Sequence, residues 1–254
     1  MQSTTATLGN MTLTNQIADR SPRAMARLAG FLYLLIAICS GFSFGYVRTT
    51  LIVPGDATAT VSTIMASEGL FRLGIAADAV VFLSEIMLIA MLYTLLKPVS
   101  KTLSLAAAYA RLAMAVMQGM NLLNYCFVLL LVSGASYLTV FDPDQLHALV
   151  LLFLNAYDDV ALIWALFFAL HLLVLGYLVY KSGYFPRMLG IMLVVASSGY
   201  FIDSFGTVLL PQYEELYASV VVLTAIVGEL PLSFWLLIKG INVEQWKKRA
   251  LESG

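Results

Sequence analysis

The chain has 254 residues, 61% of them hydrophobic and only 11% charged, with a formal net charge of −1 and a mean hydropathy of +0.88. That is too little charged surface for a soluble domain, and several apolar runs reach the length of a bilayer span, so the composition points to an all-α polytopic helical bundle in membrane lipid. There is no basic patch interleaved with aromatics, which argues against nucleic acid as a partner.

In chain order, residues 1–24 open with Thr, Ser, Asn and Gln in no apolar period, the composition of a disordered tail. Arg20, Arg23 and Arg27 precede the first apolar run. That run continues to Tyr46 with no A-x-A-like site behind it, so it reads as an uncleaved span over roughly 26–46. Cys39 lies inside it and Cys126 inside a later run. Neither suggests a disulfide or a metal clip, and Ile38 stands where a lipid-attachment signal wants a small residue.

Pro54, Pro98, Pro143, Pro186 and Pro211 each fall between apolar runs, where a missing N–H costs little. The spans between them are roughly 71–97, 102–132, 159–181, 187–210 and 216–239, six with the first. The spanning domain is 25–240, and 241–254 is a C-terminal tail. If the spans alternate, Arg20, Arg23, Arg27, Lys97, Lys101, Lys181, Arg187, Lys239, Lys247, Lys248 and Arg249 share one side, all but three of the 14 Lys and Arg. By the positive-inside rule both termini are cytoplasmic. The opposite loops carry Asp56, Glu68, Asp142, Asp144, Glu214 and Glu215, with Arg48 as the basic exception.

The stretch from Pro143 to Tyr180 does not fit one span, because its 38 residues would make a helix of about 57 Å. Asn155, Asp158 and Asp159 divide it. The favoured reading is an outer interfacial helix over 143–156 and a true span from 159; one long helix is the alternative.

Acids at bilayer depth cost about 3 kcal/mol each on insertion scales and face a bundle interior or a wet cavity. Asp78 and Glu85 are two helical turns apart on one face of the second span. Counting outward from the turn at Pro98 brings Arg111 level with Glu85, and Gln118 and Asn121 level with Asp78, so a Glu85–Arg111 ion pair is expected. The same counting puts His171 and Glu229 in the deep layer and Asp203 in the shallower one. Asp158 and Asp159 then stand at the mouth of an acidic, outward-facing cavity. Pro231 follows Glu229 by two residues and frees the carbonyl of residue 227; a simple kink, common for Pro in spanning helices, is the plainer reading, and a break of the kind that builds midplane ion sites is the other.

Other motifs have simpler readings. Gly41-Phe42-Ser43-Phe44-Gly45 matches the G-x-S-x-G nucleophile elbow, but it lies within a span, where Gly41 and Gly45 read as a small-residue packing face. With only His147 and His171, no zinc site of standard spacing is present, and His171 beside carboxylates reads as a hydrogen-bonded core histidine. No lysine lies deep in a span, and no Walker, Rossmann or haem-attachment motif identifies a cofactor.

The segments FLYLLIAICSGFSFGYVR, FRLGIAADAVVFLSEI, ARLAMAVMQGMNLLNY, LNAYDDVALIWALFFALHLLVLGYLVYKSGYFPRMLGI and SGYFIDSFG resemble the bacterial membrane proteins catalogued as domain of unknown function 4386. The likeness covers about residues 25–240. It implies a multi-pass protein of the bacterial inner membrane and carries no activity. From the residues themselves, the expectation is binding or transport of a cation, a proton or a cationic small molecule. The alternatives are an accessory subunit with structural ion pairs and an intramembrane enzyme on a lipid-like substrate. Six spans are few for a complete secondary transporter, which makes a homodimer a candidate.

Overall fold

A computed structural model describes residues 21–252. Most of the N-terminal tail expected to be disordered therefore lies outside the described residues. The first helix, α1 (Pro22–Ser40), begins inside the stretch assigned to that tail, because Pro22 at its first position brings a helical φ and has no N–H to leave unsatisfied. It runs on through a π-helical stretch, Gly41–Arg48, to Leu51. After a turn at Gly55, Asp56 caps the short helix α2 (Ala57–Ala66) by accepting from the Ala59 N–H at 2.8 Å. The long helices α3 (Glu68–Leu96) and α4 (Lys101–Leu131) form an antiparallel hairpin around Pro98, with Ser100 capping α4.

Then come α5 (Pro143–Ser182), α6 (Arg187–Leu209), α7 (Glu214–Ile238) and α8 (Val243–Glu252). Six of these eight helices are long and apolar enough to cross a membrane, and no strand occurs among the described residues. α5 begins with a capping box between Asp142 and Gln145 and ends at Gly183, whose φ of +78° a side chain would resist.

The expected separate outer helix over 143–156 is not a separate element. Asn155, Asp158 and Asp159 lie inside one uninterrupted 40-residue helix. Polar residues tax a helix only weakly, and between Pro143 and Gly176 there is no Gly or Pro to break it. The short separate helix is α2 instead, which packs against α5.

The six long helices close into a ring: each packs on its neighbour in the chain, and α1 lies against both α3 and α7. The ring has two apolar cores. The one toward the basic end takes residues from all six, including Tyr33, Leu88, Leu92, Met114, Leu172, Leu193 and Leu232. The other, at the far end, is built from α1, α2, α3, α4 and α5 alone, around Val47, Ile64, Phe71, Tyr125, Leu154 and Tyr157. The difference follows from length. α6 and α7 have 23 and 25 residues, whereas α3, α4 and α5 have 29, 31 and 40 and extend past them.

Close helix contact does not occur at the expected small-residue face. A Cβ placed on Gly41 or Gly45 meets nothing within 4 Å, and both residues are exposed. Close contact occurs instead between α5 and α6, where a Cβ on Gly190 would stand 2.5 Å from the Gly176 carbonyl oxygen, and between α1 and α7, where a Cβ on Gly30 would stand 2.3 Å from the Leu237 nitrogen. At the basic end, the Leu95 carbonyl has no helical donor because α3 is ending there. It accepts from the Tyr184 hydroxyl at 2.6 Å and the Trp246 indole at 2.9 Å, which ties the α5–α6 turn and α8 to α3.

Candidate functional site

Two polar networks occupy the ring at different depths. The deep one centres on Arg111, only 1% exposed, on α4. Its Nε donates to Glu85 on α3, forming the ion pair expected from the hairpin count. Nη1 donates to the Tyr33 hydroxyl on α1 at 2.9 Å and to His171 Nε2 on α5 at 2.8 Å. Because Nε2 accepts from a guanidinium, the imidazole proton sits on Nδ1 and is donated to the Ala107 carbonyl at 2.8 Å. Both ring nitrogens of His171 are therefore in use. The guanidinium carbon also lies 4.8 Å from the centroid of the Tyr33 ring and 5.6 Å from that of Phe168, two cation–π contacts that offset its desolvation. Tyr33, Glu85, Arg111 and His171 each lie about ten residues, roughly 15 Å, from the basic ends of their helices.

A cavity of about 10 Å³ touches this cluster from the basic side, lined by His171, Ser104, Ala107 and Tyr93 among others. The Ser104 hydroxyl is 2% exposed and has no hydrogen-bond partner. The space suits about one water.

The shallower network begins at Asp78, 4% exposed, which accepts from the Tyr157 hydroxyl at 3.1 Å and interacts with the buried Ser43 hydroxyl. Tyr157 stacks on Tyr125 with ring centroids 4.1 Å apart and planes 5° from parallel. Gln118 hydrogen-bonds to Tyr157, and Asn121 donates to the Tyr157 carbonyl at 2.9 Å while accepting from Asn124. Arg48, the basic exception of the far side, donates to the Tyr125 hydroxyl at 3.3 Å and forms an ion pair with Asp158. The π-helical stretch of α1 supplies both Ser43 and Arg48 here; such stretches recur where side chains must be re-aimed.

The remaining carboxylates stand apart. Glu229 on α7 is half-buried and accepts from the Tyr200 hydroxyl of α6 at 2.8 Å, within electrostatic reach of Arg111 but not paired with it. Asp203 lies half-buried one turn from Tyr200, beside the start of α7 rather than beside Asp78. Asp159 is exposed. Among the described residues, no three His, Cys, Asp or Glu side chains gather as a metal site requires.

Reasoning from the sequence brought together Glu85, Arg111 and His171, and Asp78, Gln118 and Asn121. It missed Tyr33, Tyr125, Tyr157 and Tyr200, which carry the hydroxyls that link these groups. A signal existed for Tyr33, which stands well inside an apolar run, unlike Tyr46, Tyr93, Tyr177 and Tyr213, which suit an interfacial belt; Tyr157 and Tyr200 sit beside polar residues of their own and gave no such contrast.

The family described as Domain of unknown function (DUF4386) matches residues 28–240, most of the chain and all six long helices in large part. The chain belongs to that family. It is similar to an uncharacterized protein of Archaeoglobus fulgidus, 32% identical over 154 residues, which cover 61% of this chain and 75% of the relative. The relative is archaeal, so the likeness extends beyond bacteria. No solved structure matches. Membership in the DUF4386 family agrees with an integral membrane protein and assigns no activity to either polar network.

Proposed function

We propose that this DUF4386 protein binds and moves a proton or a cation, inorganic or small and organic, at a carboxylate inside the bundle, in the inner membrane of a bacterium. The observation that carries this reading is the isolation of Glu229. Glu85 is neutralised by Arg111 and Asp158 by Arg48, whereas Glu229 has only the Tyr200 hydroxyl. Its charge can change without breaking an ion pair, and Pro231, two residues on, leaves the Val227 carbonyl without its usual helical donor. An unpaired carboxylate beside a broken helical ladder is the arrangement that midplane ion sites use. Asp78, held by hydroxyls alone, is the second such group, and Asp203 lies on the same side of the ring as Glu229.

The pairing of Glu85 and Asp158 favours a second reading, an accessory subunit whose ion pairs fix helix register. The enzyme reading draws no support from His171, since both of its nitrogens are engaged.

The deciding experiment measures the unfolding midpoint of the purified protein against pH and a panel of mono- and divalent cations, beside Glu229→Gln and Glu85→Gln. A ligand of the folded state stabilises it by about 2.7 kcal/mol at a hundredfold excess over Kd. Binding at Glu229 predicts a cation- or proton-specific rise that Glu229→Gln abolishes and Glu85→Gln leaves largely in place. A flat response in the parent protein would sink the binding reading and leave the accessory subunit.

A further inference from the structure

At the basic end a second site stands apart from both networks. A cavity of about 490 Å³ opens there between the start of α1, the end of α7 and the link to α8. Its lining includes Arg23, Lys239, Asn242, Glu244, Trp235 and Tyr184. Three features converge on it. Arg23 and Lys239 are exposed cations without an ion-pair partner among the described residues, against a single carboxylate, Glu244. Two helix N-termini, those of α1 at Arg23 and of α8 at Val243 and Glu244, lie in its lining, and such termini favour anions. The chain itself shapes the floor, because Gly240 turns at φ +67° directly under Arg23, where a Cβ would stand 3.1 Å from the Arg23 Cγ.

The position defines the ligand further. Lys239 marks the end of a spanning helix on the side with the excess of Lys and Arg, the cytoplasmic side by the positive-inside rule. Trp235, one turn earlier and only partly buried, flanks the cavity at the level where aromatic rings meet lipid headgroups. A basic pocket between spans at this depth is chemically matched to a phosphate that carries acyl chains into the adjoining bilayer.

We propose that this pocket binds the phosphate of an anionic phospholipid of the cytoplasmic leaflet, with Arg23 and Lys239 as its cationic contacts and the α1 and α8 N-termini supplying N–H donors. The occupied pocket would join α1, α7 and α8 through one headgroup. This site is independent of Glu229 and of any ligand there.

The test uses the full chain in detergent, titrated with phosphatidylglycerol, with phosphatidylcholine and with inorganic phosphate, each followed by the unfolding midpoint and by native mass spectrometry of retained lipid. Phosphatidylglycerol is expected to raise the midpoint and to be retained where phosphatidylcholine is not. Arg23→Gln and Lys239→Gln should each weaken its binding about fivefold, and the double variant should abolish the preference. Arg23→Lys with Lys239→Arg should restore it, and Lys101→Gln with Lys181→Gln should leave it intact. The proposal is overturned if the preference survives in the Arg23→Gln/Lys239→Gln protein, or if both lipids act alike. It is also overturned if inorganic phosphate alone reproduces the full shift at equal concentration, which would make this a site for a soluble anion.

Discussion

Arg111 shows how one residue organises the interior. It is too deep to reach water, so it requires a counter-charge and acceptors from the surrounding helices: Glu85 from α3, Tyr33 from α1 and His171 from α5. Four helices are thereby keyed to one side chain. Removing a single member of a buried pair leaves the other charge uncompensated, at about 3–5 kcal/mol, whereas replacing both by apolar residues of similar volume is often near neutral. Arg111→Met is therefore expected to lose about 3–5 kcal/mol in chemical unfolding, and Glu85→Leu a comparable amount. The Glu85→Leu/Arg111→Met protein should be more stable than either single variant. A double variant whose loss equals the sum of the two would show that the groups act independently and that the pairing does not key the helices.

At the scale of elements, the sequence conveyed periods and punctuation better than contacts. Prolines between apolar runs located all six spans, and the short turn at Pro98 fixed the α3–α4 hairpin closely enough to pair residues 85 and 111 by counting. The π-helical stretch in α1 was not legible: its glycines match a packing motif, yet they face outward, and the widened turn instead carries Ser43 and Arg48 inward. Nor was the continuity of α5, since polar residues in an apolar run look like a boundary unless the charge that receives Asp158 is known. That charge, Arg48, lies 110 residues earlier in the chain. The glycines themselves supply a test. Gly190→Leu must push α6 away from α5 and is expected to cost about 1–3 kcal/mol as overpacking. Gly41→Leu meets open space and should stay within about 0.5 kcal/mol of the parent protein in unfolding. If Gly41→Leu instead dissociates an oligomer in light scattering, the outward face is a subunit contact and the homodimer follows.

For the molecule as a whole, the 40-residue length of α5 argues that only part of the bundle lies in lipid. A hydrocarbon layer of about 30 Å takes roughly 20 helical residues, so α5, entering at Ser182 on the basic side, leaves it near residue 160. The 40-residue helix is about 60 Å long, and its first half, with α2 and the ends of α1, α3 and α4, then forms a lobe beyond the bilayer around the second core. The Arg48–Asp158 pair falls at the boundary, where water relieves part of its desolvation, and Arg111 falls at the centre, where nothing does. This arrangement predicts labelling by a membrane-impermeant thiol reagent in a background with Cys39 and Cys126 replaced by Ala. Thr139→Cys and Asn155→Cys, both at exposed positions, should react in intact cells, and Gln245→Cys only after permeabilisation. Reaction at residue 245 from outside would invert the orientation and move the proposed phosphate site to the other leaflet. Protection of residue 155 alongside reaction at 139 would mean that lipid rises past Asp158. In that case the far-end core is a second membrane layer, α5 crosses at a steep tilt, and the Arg48–Asp158 pair is as buried from water as the one at Arg111.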